Sequence, residues 1–120
     1  MKRRGLMLSS GDVVELDFGL PVGREAGFGH PAVVVTAQRI LNGDPTVVQV
    51  VPLTSTVRAF RSEVPIEPDA SNGLFERSSV QCQHVRAVST ARVGSVRGNV
   101  GSVALLQVRE ALALIFDLPG

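Results

Sequence analysis

The residues best suited to chemistry are concentrated in one Gly-rich stretch. From Gly19 to His30 the chain reads Gly-Leu-Pro-Val-Gly-Arg-Glu-Ala-Gly-Phe-Gly-His. Within it Arg24, Glu25, Phe28 and His30 supply a cation, a carboxylate, a stacking ring and a titratable base. Its glycines let the backbone approach a ligand, and its length exceeds that of an ordinary hairpin connection, which favours a functional loop. A surface loop with incidental polar residues fits the same composition, and the loop alone leaves the two readings level. A second feature is a run of five arginines, Arg77, Arg86, Arg92, Arg97 and Arg109, with no acidic residue between the first and the last. A guanidinium fork hydrogen-bonds two phosphate oxygens at once. Strand edges and helix faces also carry charge simply for solubility, so the run alone does not decide.

These residues must be positioned by strands. Asp12 to Phe18 places Val14, Leu16 and Phe18 on one face and Val13, Glu15 and Asp17 on the other, the period-two pattern of a half-buried strand. Ala32–Thr36 is a continuous β-branched run, as in a strand buried on both faces. Thr46–Leu53 forms a third strand after the turn Asn42-Gly43-Asp44-Pro45, with Pro52 at its edge or end. Glu63–Ile66 and Ser79–Val85 read as a fourth and a fifth, and the Val93–Val100 region supplies a sixth. One helix of substance closes the chain. Ser102 is placed to cap it, Leu105, Val108, Leu112 and Ile115 recur at helical spacing, and Asp117-Leu118-Pro119-Gly120 stops it. The expectation is a mainly β fold, a small bent sheet or barrel with the terminal helix over an open side.

Length and composition set bounds. The 120 residues, 44% of them hydrophobic, suit a single domain over residues 1–120 with one core, residues 1–10 being read as a flexible N-terminal extension. The basic start Met1-Lys2-Arg3-Arg4 leads into an apolar stretch too short for a signal peptide, and no segment could span a bilayer, so no membrane association and a cytoplasmic location are expected. Cys82 is the one cysteine, which excludes an intramolecular disulfide. With His30 and His84 it makes no recognisable metal-ligand spacing, so neither metal nor cofactor is expected. Cys82 itself, amid β-forming residues, reads as a small buried thiol.

The order of motifs is more specific than any one of them. Gly11-Asp12-Val13-Val14 through Phe18-Gly19, the Gly23-Arg24-Glu25 loop and His30-Pro31-Ala32-Val33-Val34-Val35 are followed by Val51-Pro52-Leu53-Thr54-Ser55-Thr56. Glu63-Val64, Gln83-His84-Val85-Arg86-Ala87-Val88 and Leu114-Ile115-Phe116-Asp117-Leu118-Pro119 complete the series. Together they resemble the MazF/PemK family of toxins, over about Gly11 to Pro119.

The resemblance implies an SH3-like or CcdB-like small barrel that forms a homodimer. It implies a toxin that cleaves single-stranded mRNA at short sequences without a metal, and a cognate antitoxin that occupies the RNA groove. Cleavage in the family is by the ribose 2′-hydroxyl on the adjacent phosphate, leaving a 2′,3′-cyclic phosphate and a 5′-hydroxyl. By position in the motifs, His30, Thr54 and Glu25 are the catalytic candidates, and Arg24, Phe28, Ser55, Arg58, Phe60, His84 and Arg86 the RNA-binding ones. His30 is a departure, since the family carries arginine before the proline. Imidazole exchanges a proton near neutrality, which guanidinium does not, but it gives up the permanent charge and the two-pronged phosphate grip. Were His30 and His84 to converge, they could act as a base and acid pair. Strand alternation predicts Cys82, His84 and Arg86 on one face. Two other readings belong to the same fold: a CcdB-like toxin that binds gyrase, and a degenerate, catalytically weak homologue that binds antitoxin.

Overall fold

A computed structural model of the chain describes residues 7–17 and 30–119. The described elements are β1 (Asp12–Leu16), β2 (His30–Val34), α1 (Gln38–Leu41), β3 (Val47–Thr54), β4 (Glu63–Ile66), β5 (Ser78–Gln81), β6 (Arg86–Ser89), β7 (Val93–Asn99) and α2 (Gly101–Phe116). Single 3₁₀ turns, Cys82–His84 and Thr90–Arg92, flank β6. The mainly antiparallel sheet runs β4-β5-β3-β2-β1-β7, with β6 also paired to β3. β3 is therefore shared, holding β2 along one edge and β6 then β5 along the other.

The alternation along the strands builds two cores. Val33, Val51 and Leu53 join Val13, Val64, Ile66 and Val80 beneath α2, which inserts Val108 and Ala111. Ala32, Val34, Val48 and Val50 point the other way and pack with Val14, Leu16, Leu8, Leu41, Val88 and Val93. Successive side chains of a strand point to opposite faces, so a segment buried on both reads as an unbroken apolar run, as Ala32–Val34 of β2 does. The fully buried side chains are mostly valine, and none of the described phenylalanines, Phe60, Phe75 and Phe116, is buried.

Several sequence expectations shift. Among the described residues the barrel is not closed by a ladder, because β4 and β7 are the ends of the sheet path; α2 packs on β4, and the segment after β4 reaches β7 through the bond from Asn99 N–H to the Ser71 carbonyl. The fifth strand, paired with both β4 and the end of β3, stops at Gln81, and after the Cys82–His84 turn the chain pairs with the first half of β3, so β6 becomes an additional strand. The helix begins at Gly101, whose N–H donates 2.8 Å to the Asn99 carboxamide, so Ser102 does not cap it. It ends where Asp117 turns left-handed and Leu118 N–H returns to the Ala113 carbonyl. Ile115, expected on the buried stripe, sits at the exposed margin, and Ala111 takes part in the core instead. Leu8 is buried and the Ser9 N–H donates to the buried Asp12 carboxylate at 2.7 Å, so at least these two residues of the expected extension are fixed to the sheet. No helix among the described residues is long and apolar enough to cross a membrane.

Candidate active site

The site begins where β2 and β3 meet at one end of the sheet. Ala32, Val33 and Val34 face Pro52, Val51 and Val50 in antiparallel register. The pairing stops at Ala32 and Pro52; His30, which opens β2, and Thr54, which closes β3, lie just beyond it at the same end of the two strands. β1 holds His30 from its other side through the Leu16 pairing, and β5 holds Thr54 through Ser79. The Thr54 hydroxyl oxygen accepts the Thr56 N–H at 3.1 Å, which shapes the turn after β3. A hydroxyl so engaged keeps its own proton for donation elsewhere.

Next to Thr54 lies a buried carboxylate with four donors. Glu63 Oε2 accepts from Arg58 at 2.7 Å, Gln83 at 2.7 Å and Gln81 at 3.4 Å, while Oε1 accepts from the Ser79 hydroxyl at 3.2 Å. Burial pushes this carboxyl up, but the bonds from Gln83, Arg58, Ser79 and Gln81 outweigh it and hold Glu63 below its ordinary range. The network orients Arg58, whose guanidinium carbon sits 4.7 Å from the centroid of the Phe60 ring. Ser79 therefore links two things: it is the rung partner of Thr54 and a donor to the carboxylate that holds Arg58.

The structure brings His30, Thr54, Ser55, Arg58 and Phe60 to this end of the sheet, and Ser55 follows Thr54 directly. His84 is exposed on the 3₁₀ turn after β5, on the opposite side of β3 from His30, so the structure does not pair the two imidazoles across one strand rung. That turn also breaks the alternation expected for Cys82, His84 and Arg86. Cys82 is fully buried beneath α2, whereas His84 and Arg86 are exposed, Arg86 at the head of β6 opposite Val50. The Cys82 thiol is raised to about 11 by burial and by the nearby Glu63 charge, which leaves it a packing group. Arg24, Glu25 and Phe28 lie outside the described residues.

The arginine run disperses in space. Arg77 pairs with Glu67, and Arg97 with Glu15, each at 2.7 Å, while Arg109 reaches the Ser10 hydroxyl at 2.9 Å. The polar arrangement that sequence reading missed is the Glu63 hub with Ser79, Gln81 and Gln83. The available signal was an acidic residue opening an otherwise apolar strand, Glu63-Val64-Pro65-Ile66.

Comparison with known proteins decides the family. Residues 9–116 match the model of the PemK-like, MazF-like toxin of type II toxin-antitoxin systems. The chain belongs to the PemK/MazF toxin family. Among its MazF relatives, the endoribonuclease MazF9 of Mycobacterium tuberculosis (strain ATCC 25618 / H37Rv) is 31% identical over 119 residues, covering 93% of this chain and 98% of that protein. The solved Mycobacterium tuberculosis toxin MazF-mt6 superposes with a TM-score of 0.72 at 26% identity, covering 91% of this chain and 99% of the other. The fold is also that of a mycobacterial endoribonuclease solved in complex with its cognate antitoxin, with a TM-score of 0.71 at 23% identity over 92% of this chain and 95% of that one.

Proposed function

We propose that this MazF-family chain is the toxin of a toxin-antitoxin pair and acts as a sequence-specific, metal-independent endoribonuclease on single-stranded mRNA. The observation that carries the reading is Thr54, whose rung partner Ser79 donates to the buried carboxylate that also orients Arg58, with His30 opening the neighbouring strand at the same end. Relatives named as endoribonucleases support it over gyrase binding.

Cleavage of this kind forms a bond from the 2′-oxygen to phosphorus and breaks the bond from phosphorus to the 5′-oxygen. One proton must leave the 2′-hydroxyl and one must reach the departing oxygen, while negative charge grows on the non-bridging oxygens. His30 is assigned one of the proton transfers, with Glu25 of the preceding loop as the other catalytic group. Thr54 donates to a non-bridging oxygen, and Ser55 extends the donor set. Arg58 supplies fixed positive charge. Arg24, Arg86 and His84 contact the RNA backbone, and Phe28 and Phe60 offer faces to bases.

The partners proposed are single-stranded RNA, a cognate antitoxin and a second copy of the chain. The exposed Val103, Leu106, Leu114 and Phe116 of α2 support assembly, since an apolar face of this kind is commonly covered by another surface. RNA cleavage in excess chelator, abolished when the target ribose lacks its 2′-hydroxyl, is the decisive experiment. Binding without cleavage, or cleavage of the deoxy substrate, would overturn the reading. Light scattering at micromolar concentration tests the dimer, against which an active monomer would count.

A further inference from the structure

We propose that Phe75, backed by Arg97, is a stacking platform for a base of the bound RNA strand, adjoining the segment held at Thr54; this rests on the nuclease reading above. Phe75 is 93% exposed, the most exposed large apolar side chain among the described residues. A ring left in water forgoes a large burial gain. It is also held in place. The Arg97 guanidinium carbon lies 4.9 Å from the ring centroid, and Arg97 is itself fixed by Glu15 at 2.7 Å and by the Gly73 carbonyl at 2.8 Å. One face of the ring is thus backed by a cation while the side chain remains open to solvent.

The segment carrying Phe75 is stitched down rather than loose. Asn72, 1% exposed, accepts the N–H groups of Asp69 and Leu74 and donates to the Glu67 carbonyl, and the Ser71 carbonyl accepts the Asn99 N–H of β7. Gly98 of β7 packs so close that a Cβ there would collide with the Ser71 carbonyl oxygen, and Gly73 adopts φ +69° against the Arg97 backbone. A preorganised exposed ring loses little freedom when a ligand stacks on it.

The neighbourhood selects a base rather than a phosphate. Phe75 and Arg97 border an open hollow of about 210 Å³ that also takes in Thr54 and Ser55. Arg97, the cation lining it, is already paired with Glu15, and Glu76 adds a carboxylate to the same wall. At the Phe75 wall that balance disfavours an anion, whereas every nucleobase has a π-face to stack. The hollow therefore joins a donor suited to the phosphate with a ring suited to the adjacent base.

Phe75→Trp places a lone indole in a chain that has no other Trp. Titrated with mixed-sequence single-stranded RNA carrying 2′-O-methyl riboses, which cannot be cut by the 2′-hydroxyl route, its emission should be quenched, and inorganic phosphate should not quench it. Absence of quenching by the RNA overturns the proposal. On an unmodified transcript, Phe75→Ala should cut at the parent's sites about tenfold or more slowly. Phe75→Tyr should keep the parent rate, and Phe75→Leu, apolar without a π-face, should fall with Ala. Ala equal to the parent would overturn the platform and leave the nuclease reading standing, including the case in which only antitoxin capture is lost. Quenching with a parent that cuts nothing would support the platform and remove the nuclease reading.

Discussion

The Glu63 side chain is sealed from solvent while that of its 2.7 Å partner, Arg58, remains 41% exposed. This asymmetry fixes one end of a flexible side chain inside the protein and leaves its remaining donors outside. Arg58 becomes a positioned cation rather than a mobile one, at the end of the sheet where Thr54 also lies.

Removing the exposed partner should therefore cost more than removing an ordinary surface charge. Arg58→Ala leaves Glu63 with its neutral donors, and a loss of about 2 kcal/mol in denaturant unfolding is expected, as for a removed hydrogen bond to a charged group. Glu63→Gln in the Arg58→Ala background should recover part of that loss. The carboxyl ionises below its ordinary range in the folded state, so its contribution is complete above that range and fades as pH falls through the lowered folded value. Parent stability should drop on acidification below about pH 4.3, and Glu63→Gln should flatten that limb. Unfolding midpoints measured across acidic pH, identical in shape for the two proteins, would rule this out.

Thr54→Ala removes a donor while leaving the strand pairing of β3 intact. Cleavage should fall by about two orders of magnitude, the effect of losing one oxyanion-type donor. Thr54→Ser should retain most activity. Single-turnover rates with matched melting temperatures decide the matter, and an undiminished Ala variant would take Thr54 out of the chemistry.

For His30 the informative comparison is of three proteins. If His30 transfers a proton, His30→Ala should lose most activity together with the pH dependence across the range where imidazole titrates. His30→Arg restores charge without a titrating group. It should exceed or match the parent if phosphate charge dominates, and fall below it if proton transfer does. Initial rates from mildly acidic to mildly alkaline pH separate these cases; three superimposable profiles would leave His30 no catalytic part.

Arg86→Ala should weaken RNA binding without changing the preferred sites. One lost phosphate contact on a single strand should reduce the slope of log affinity against log salt by about 0.7. An unchanged slope would show that Arg86 makes no phosphate contact.

The strands were legible because alternation and β-branched runs report two-sided burial directly. β3 and β4 stand within a residue of where their patterns put them. The reading of Ser79–Val85 as one strand failed because nothing in Gln81-Cys82-Gln83-His84 distinguishes a continuing strand from a 3₁₀ turn, and the break shows only where the chain leaves β4 and moves to the first half of β3. Local pattern left Thr54 just past the third strand and His30 at the end of the Gly-rich loop, whereas pairing extends β3 to Thr54 and starts β2 at His30. Glu63 and Phe75 were missed for opposite reasons. A buried carboxylate and an exposed ring both contradict the hydropathy of their side chains, and residues that contradict hydropathy are visible only once surroundings are known.

Cys82 lies between the Val80 and Val108 carbonyls, 3.9 Å from each, under the helix and far from the thiolate state. A thiol so enclosed is a clock for the native fold. Alkylating reagents will reach it only through molecules in which α2 has lifted from the sheet. The speed at which the chain takes up such a label thus measures how often that helix opens, with the natural sequence serving as its own reporter.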